Sequence, residues 1–237
     1  MPFPFDENST SATPGSPTPV GTVLFDYGMV LSGPPDPVAW SAIRSITGLD
    51  EAPLHTAYWA FRHDYDRGAL TGTAYWHAVA AQTRIKLTYT QIAALFRADV
   101  DLWSVPNAPM IAWAAQLQRA GVRTGILSNI GDNIAQGIVA RLPWLAAFDH
   151  CTWSALLHMA KPEPEIYIQT AAALHTPPAN ILFLDDKQEN IQAAAAIGMQ
   201  TLHFTTYAAM DLEMSARGYA YLLNAAAAPT IEPAAAK

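Results

Sequence analysis

Four polar groups in this chain each follow or close a short apolar run, and their types suit one another. Asp26 follows TVLF, Ser128 and Asn129 end TGILSN, Lys161 opens KPEPEIY, and Asp185 and Asp186 end ILFLDD. A carboxylate matched with a lysine and an acid pair suits phosphoryl transfer through a covalent carboxylate, with Asp26 as the nucleophile. A carboxylate cannot approach a phosphate dianion unless charge is neutralised. One Mg²⁺ held by Asp26 and the acid pair would do this, because Mg²⁺ takes one or two carboxylates and fills its shell with phosphate and water oxygens. Lys161 would add a fixed positive charge. The Ser128 hydroxyl and nearby backbone N–H groups would hold phosphoryl oxygens.

These groups lie far apart in the chain, so a fold must bring them together. Strand character falls at 22–25, 123–128, 181–185 and 201–204, with a weaker run near 148–152. Helical spacing marks 108–121, 161–174 and 190–198. Nearly continuous apolar strands alternating with helices predict an α/β protein whose parallel sheet is covered on both faces. In such sheets ligands bind outside the carboxyl ends of the strands, where all four polar groups fall. Residues 35–103 break the alternation. PVAWSAIRSITG, LHTAYWAFRHDYDRG, TAYWHAVAAQTR and YTQIAALFRADVDLW are four helical patterns in a row, which predicts an all-helical cap inserted over those ends. The expected organisation is a flexible tail at 1–20, a core at 21–34 and 104–225, a cap at 35–103 and a second flexible tail at 226–237.

Bulk properties narrow the partners. The net charge is −7 and basic residues are scattered, so nothing favours nucleic acid. The first basic residue is Arg44, and the start of the chain has no apolar run of a secretory signal. No stretch approaches the roughly 20 apolar residues of a membrane span. The single cysteine, Cys151, cannot form an internal disulfide, which fits a reducing cytoplasm. The expected setting is cytoplasmic, with a small phosphorylated metabolite as partner and neither nucleic acid nor membrane. The oligomeric state is unreadable.

The order and spacing of these motifs resemble the haloacid dehalogenase superfamily. VLFDYGMVL resembles its first motif and ILSN its second. KPEPEIY, with a tyrosine six residues after the lysine, resembles its third, and FLDDKQENIQAAAAIGM its fourth. The resemblance runs from about residue 21 to 205 and implies a three-layer, Rossmann-like parallel core with a helical cap. It also implies a Mg²⁺-dependent phosphatase. Asp26 would become an aspartyl-phosphate, the Gly28 carbonyl and Asp186 would bind Mg²⁺, and Asp185 would hold a coordinated water. Ser128 and Asn129 would bind the phosphoryl group, Lys161 would bridge it to Asp26, and Asn190 would order the acid loop.

One departure matters. Most phosphatases of this superfamily carry a second aspartate two residues after the nucleophile, as general acid and then base. This chain has Gly28 there. A positioned acid is worth roughly 10²–10⁴-fold, so its loss favours activated esters, such as a sugar 1-phosphate. FRHDYDRG offers His63, Asp64 and Asp66 as cap replacements, His63 being the expected cap contact with substrate. Two other readings carry different chemistry. A dehalogenase uses the same aspartate and lysine without metal, yet has no use for the Asp185–Asp186 pair. A phosphate-ligand binder without turnover gains nothing from a nucleophile beside like charge. Taken singly, each motif is an ordinary turn, helix cap or solvated charge; four in order carry the reading. The aromatics of the cap are expected as core, Cys151 as an apolar filler, and the histidines show no zinc spacing.

Overall fold

The computed structural model describes residues 19–225. The expected tail at 226–237, and all but the last two residues of that at 1–20, lie outside them. Pro19 and Val20, placed in the tail by sequence, are tied down. Asn180 Nδ2 donates to Pro19 O at 2.7 Å, and Val20 N donates to Tyr221 Oη at 3.2 Å.

Five parallel strands form one sheet in the order β3-β2-β1-β4-β5. They are β1 (Thr22–Phe25), β2 (Arg123–Ser128), β3 (His150–Trp153), β4 (Ile181–Asp185) and β5 (Gln200–His203). β1, β2 and β4 match the sequence reading residue for residue. β5 begins one residue earlier than expected, and the weak run at 148–152 is a strand two residues later. β1 is central, with Phe25 opposite Ile126 on one side and Leu184 on the other. All four of its side chains are buried. Successive residues still alternate faces: Val23 and Phe25 join one buried cluster, Leu24 the other.

The helical stretch between β1 and β2 holds α1 (Pro37–Thr47), α2 (Glu51–Ala60), α3 (Arg62–Asp66), α4 (Gly72–Thr83) and α5 (Tyr89–Leu102), followed by α6 (Ala108–Arg119). Asp36 caps α1, its Oδ1 accepting from Val38 N at 2.9 Å, and Thr88 with Gln91 forms a capping box on α5. The sequence reads 54–68 as one helical pattern. The structure splits it at Phe61, whose φ of −115° and ψ of 4° leave the helical region. Buried residues of this stretch, including Ile43, Tyr58, Trp76 and Leu95, are continuous with the apolar face of the sheet that carries Phe25. The cap aromatics are mainly core: Tyr58, Tyr65, Tyr75 and Trp76 are fully buried.

The remaining helices are α7 (Asp132–Arg141), α8 (Ser154–Leu157), α9 (Pro164–Ala173), α10 (Gln188–Ala196), α11 (Tyr207–Ala216) and α12 (Ala220–Leu223). Among the described residues no helix is long and apolar enough to cross a membrane.

Candidate active site

β1 delivers Asp26 to the carboxyl edge of the sheet. The Asp26 N–H extends the ladder by donating to Leu184 O at 2.8 Å, and its Oδ1 accepts from Tyr27 N at 2.7 Å. The chain then turns tightly through Tyr27–Leu31, closed by Ser32 N donating to Tyr27 O at 2.7 Å. Met29 holds φ +61° in this turn, a conformation non-glycine residues rarely adopt. Gly28, by contrast, has the ordinary angles φ −63° and ψ 133°. The Tyr27 hydroxyl donates to Trp103 O at 2.7 Å and ties the turn to the end of α5.

Lys161 is buried between two carboxylates, its Nζ 2.8 Å from Asp26 Oδ1 and 2.6 Å from Asp185 Oδ2. Burial works against its charge, and Asp185 and Asp26 outweigh that and raise its pKa. Asn129 fixes the backbone of the lysine: Lys161 N donates to Asn129 Oδ1 and Asn129 Nδ2 donates to Lys161 O, both at 2.8 Å. The Asn129 amide thus positions the lysine, and Asn129 also lines the cavity in which it is expected to meet the phosphoryl group.

Asp185 is fully buried and accepts from Lys187 N at 2.8 Å, and Asn190 Nδ2 lies 3.0 Å from each of its oxygens. Asn190 therefore holds the acid loop through its amide, while its Oδ1 has no hydrogen-bond partner. Asp186 is half-buried, and its carbonyl accepts from His203 Nε2 at 2.8 Å. Ligand oxygens of Asp26, Asp185 and Asp186 all lie within 4.8 Å of one another. Three carboxylates thus share one buried lysine. Burial pushes the Asp26 carboxyl up to about 7, against the pull of Lys161 and with the push of Asp185 and Asp186. Asp186 is raised as well, by burial and then by Asp185. A divalent cation would relieve this excess of negative charge, so the residues present fit one.

The cluster opens into a cavity of about 490 Å³. Asp26, Gly28, Ser128, Asn129, Lys161, Asp186, Asn190 and His63 all line it. Asp185 does not; it sits behind Lys161. Asp64, one of the three cap acids and bases considered, is exposed and outside the lining. A second void of about 630 Å³ lies at the opposite end of the sheet, beside Gly21, Arg123 and His175, and contains none of the site residues.

Sequence reasoning missed several lining residues: Met29, Arg62, Trp103 and Lys187. Arg62 is buried with its guanidinium 5.1 Å from the Tyr58 ring centre and 6.0 Å from that of Trp103. It is 3.0 Å from Asp66 Oδ1 and 3.5 Å from Asp99 Oδ1, and Nη1 donates to Tyr58 Oη at 2.7 Å. The available signal was an arginine embedded in the aromatic run AYWAFRHDY.

A family model described as haloacid dehalogenase-like hydrolase matches residues 37–198, and the chain belongs to that family. It is an enzyme class of hydrolases, on a Rossmann-like α/β fold. The chain is 32% identical over 151 residues to Sesquiterpene phosphatase astK of Aspergillus oryzae, covering 63% of this chain and 75% of that protein. Among solved structures, a HAD family enzyme from Bacteroides thetaiotaomicron superposes with a TM-score of 0.68 at 17% identity, covering 83% of this chain and 99% of that one. The same bacterial enzyme has been solved in complex with magnesium and inorganic phosphate. An L-2-haloacid dehalogenase from Xanthobacter autotrophicus superposes with a TM-score of 0.59 at 18% identity, covering 89% and 85%.

Proposed function

We propose that this hydrolase is a Mg²⁺-dependent phosphohydrolase in which Asp26 attacks phosphorus. The observation that carries the reading is the cluster of Asp26, Asp185 and Asp186 around one buried lysine at the mouth of the cavity. An acid pair beside the nucleophile has a use in metal-assisted phosphoryl transfer and none in metal-free halide displacement. The relative named as a phosphatase supports the same choice.

Asp26, Asp186 and the Gly28 carbonyl would hold the cation, which supplies the positive charge that lets a carboxylate meet a phosphate dianion. Lys161 holds Asp26 in place and carries the second positive charge. Ser128 and the Asn129 backbone N–H would hold the phosphoryl oxygens, the Ile130 N–H being taken by Ser154 Oγ. Asp185 acts behind them by holding Lys161, Asn190 and the Lys187 N–H. The helical residues 35–103 form the cap of the proposed domain arrangement, over the core at 21–34 and 104–225.

The apolar part of the cavity lining supports a substrate class. Met29 and Trp59 are 41% and 45% exposed, large apolar surfaces beside Pro35, Trp103 and Ile130. Such a wall fits a carbon-rich, apolar alcohol better than a polyol. The proposed substrate is therefore a small phosphate ester of an apolar alcohol, in line with the sesquiterpene in the name of the relative. The sugar 1-phosphate or other activated ester expected from the sequence is the class it is tested against. Inorganic-phosphate release from terpenyl phosphates and hexose 1-phosphates, with Mg²⁺ and with EDTA, tests this. Metal-dependent release favouring the terpenyl esters is expected. Faster release from the sugars would overturn the substrate class, and metal-independent halide release would hand the site to the dehalogenase reading.

A further inference from the structure

Gly28 leaves the position beside the nucleophile without a side chain, and neither backbone nor packing demands this. Its angles suit any L residue, and a Cβ built there would meet nothing within 4 Å. Cleaving an ester with a poor leaving group needs a proton delivered to the departing oxygen and later taken from the attacking water. The group that does so must come from another part of the lining.

Asp66 lines the same cavity, at the last residue of α3. Its main chain is pinned to the core: Ser154 Oγ donates to Asp66 O and accepts from Ile130 N. One hydroxyl thus separates Asp66 from the loop that follows Ser128 and Asn129. The Asp66 side chain is 16% exposed; its Oδ2 accepts from Arg62 Nε at 3.4 Å, and its Oδ1 lies 3.0 Å from Arg62 Nη2 without an aligned hydrogen-bond donor. Arg62 divides its charge between Asp66 and Asp99. Lys187, next to Asp186 in the acid loop, also acts on the Asp66 carboxyl. Burial pushes that carboxyl up to about 6 against the pull of Arg62, toward the range useful for proton transfer at neutral pH. His63 lines the cavity from the same short helix but is exposed and has no such anchoring.

We infer that Asp66 is the general acid and base of this site, supplied by the helical segment in place of the side chain that Gly28 lacks. The inference rests on the phosphohydrolase reading. In the first step an Asp26 oxygen attacks phosphorus, the bond from phosphorus to the leaving oxygen breaks, and the Asp66 proton passes to that oxygen to release the alcohol. In the second step water attacks the aspartyl-phosphate and gives its proton to the Asp66 carboxylate. The bond from phosphorus to Asp26 breaks and inorganic phosphate leaves, with Asp26 again a carboxylate and Asp66 again protonated.

The test compares two esters of similar shape with Mg²⁺ present: phenethyl phosphate, a poor leaving group, and para-nitrophenyl phosphate, a good one. Asp66→Asn keeps an acceptor for Arg62 and removes the proton. It should lower kcat on phenethyl phosphate by about 10²-fold or more, and on para-nitrophenyl phosphate by less than about a tenth of that factor. Adding Gly28→Asp to that variant should restore phenethyl phosphate turnover in particular. Equal losses on both esters, or no loss on phenethyl phosphate, would overturn the role. The unmodified protein gives a second reading that needs no variant: release from para-nitrophenyl phosphate with none from phenethyl phosphate would also overturn it. Release from neither ester, nor from terpenyl phosphates, would instead remove the phosphohydrolase reading beneath it.

Discussion

Two triads, each of one cation and two carboxylates, put the cation and one carboxylate on the same cavity and are built for different work. At the strand ends Lys161 lies between Asp26 and Asp185; in the helical segment Arg62 lies between Asp66 and Asp99. Around Arg62 the charge is absorbed by its surroundings. Five aromatic rings approach the guanidinium to within 6.0 Å, and Tyr58 Oη donates to Asp99 Oδ1 at 2.6 Å. A planar, delocalised cation suits that stacked setting. Around Lys161 the charge is left unbalanced, because Asp186 adds a third carboxylate and the cavity opens beside it. A buried ion pair by itself says little about function. The excess of one sign, next to open space, is what marks the strand-end triad as a site for added positive charge.

Asp26→Asn should reduce phosphate release by on the order of 10⁴-fold or more, with the fold retained by circular dichroism. Removing either cation comes next. Lys161→Met and Arg62→Met each strand two buried carboxylates, at a cost of about 3–5 kcal/mol, measurable by urea denaturation in EDTA. Mg²⁺ should return part of the loss in Lys161→Met and none in Arg62→Met, because only the strand-end triad can accept a cation.

The pH dependence of the metal-free protein separates the triads further. Asp26 rises from an ordinary 3.8 to about 7 and Asp66 to about 6. Both folded values lie above the unfolded ones, so the native state binds more protons between them. Unfolding free energy in EDTA should therefore fall as pH rises from about 4 to about 7. Asp26→Asn should remove the upper end of that decline, above about 6, and only lessen the fall below it, where Asp66 still titrates. Asp66→Asn should flatten only the portion below about 6. The smallest effect concerns the contact between the helical segment and the core. A Cβ at Gly131 would run into the Tyr65 ring. Gly131→Ala should cost about 1–3 kcal/mol in a chemical melt, with turnover falling as Tyr65 moves away from the loop after Asn129.

The strand-end triad was legible in the sequence and the other was not, for a physical reason. Strands bounded by turn residues announce their ends, so Asp26, Ser128 and Asp185–Asp186 could be assigned to one edge, while Lys161 reaches it from the turn between α8 and α9. β1, β2 and β4 fell where the apolar runs put them. Arg62 and Asp66 are spaced like any solvated i,i+4 pair on a helix, and Asp99 lies two helices away. Only tertiary packing turns them inward against the aromatics. The break at Phe61 was hidden because helical spacing continues on both sides of it. The pairing of the Asn129 amide with the Lys161 backbone was not readable, because the two lie 32 residues apart.

If Asp26 carries the phosphoryl group, it can be trapped in that state. Incubating the protein with Mg²⁺ and a terpenyl ester bearing radiolabelled phosphate, quenching in acid and mapping the labelled peptide tests it most directly. The account predicts label on the peptide containing Asp26, lost in Asp26→Asn. Phosphate release with label on no peptide, or on a peptide lacking Asp26, would contradict it.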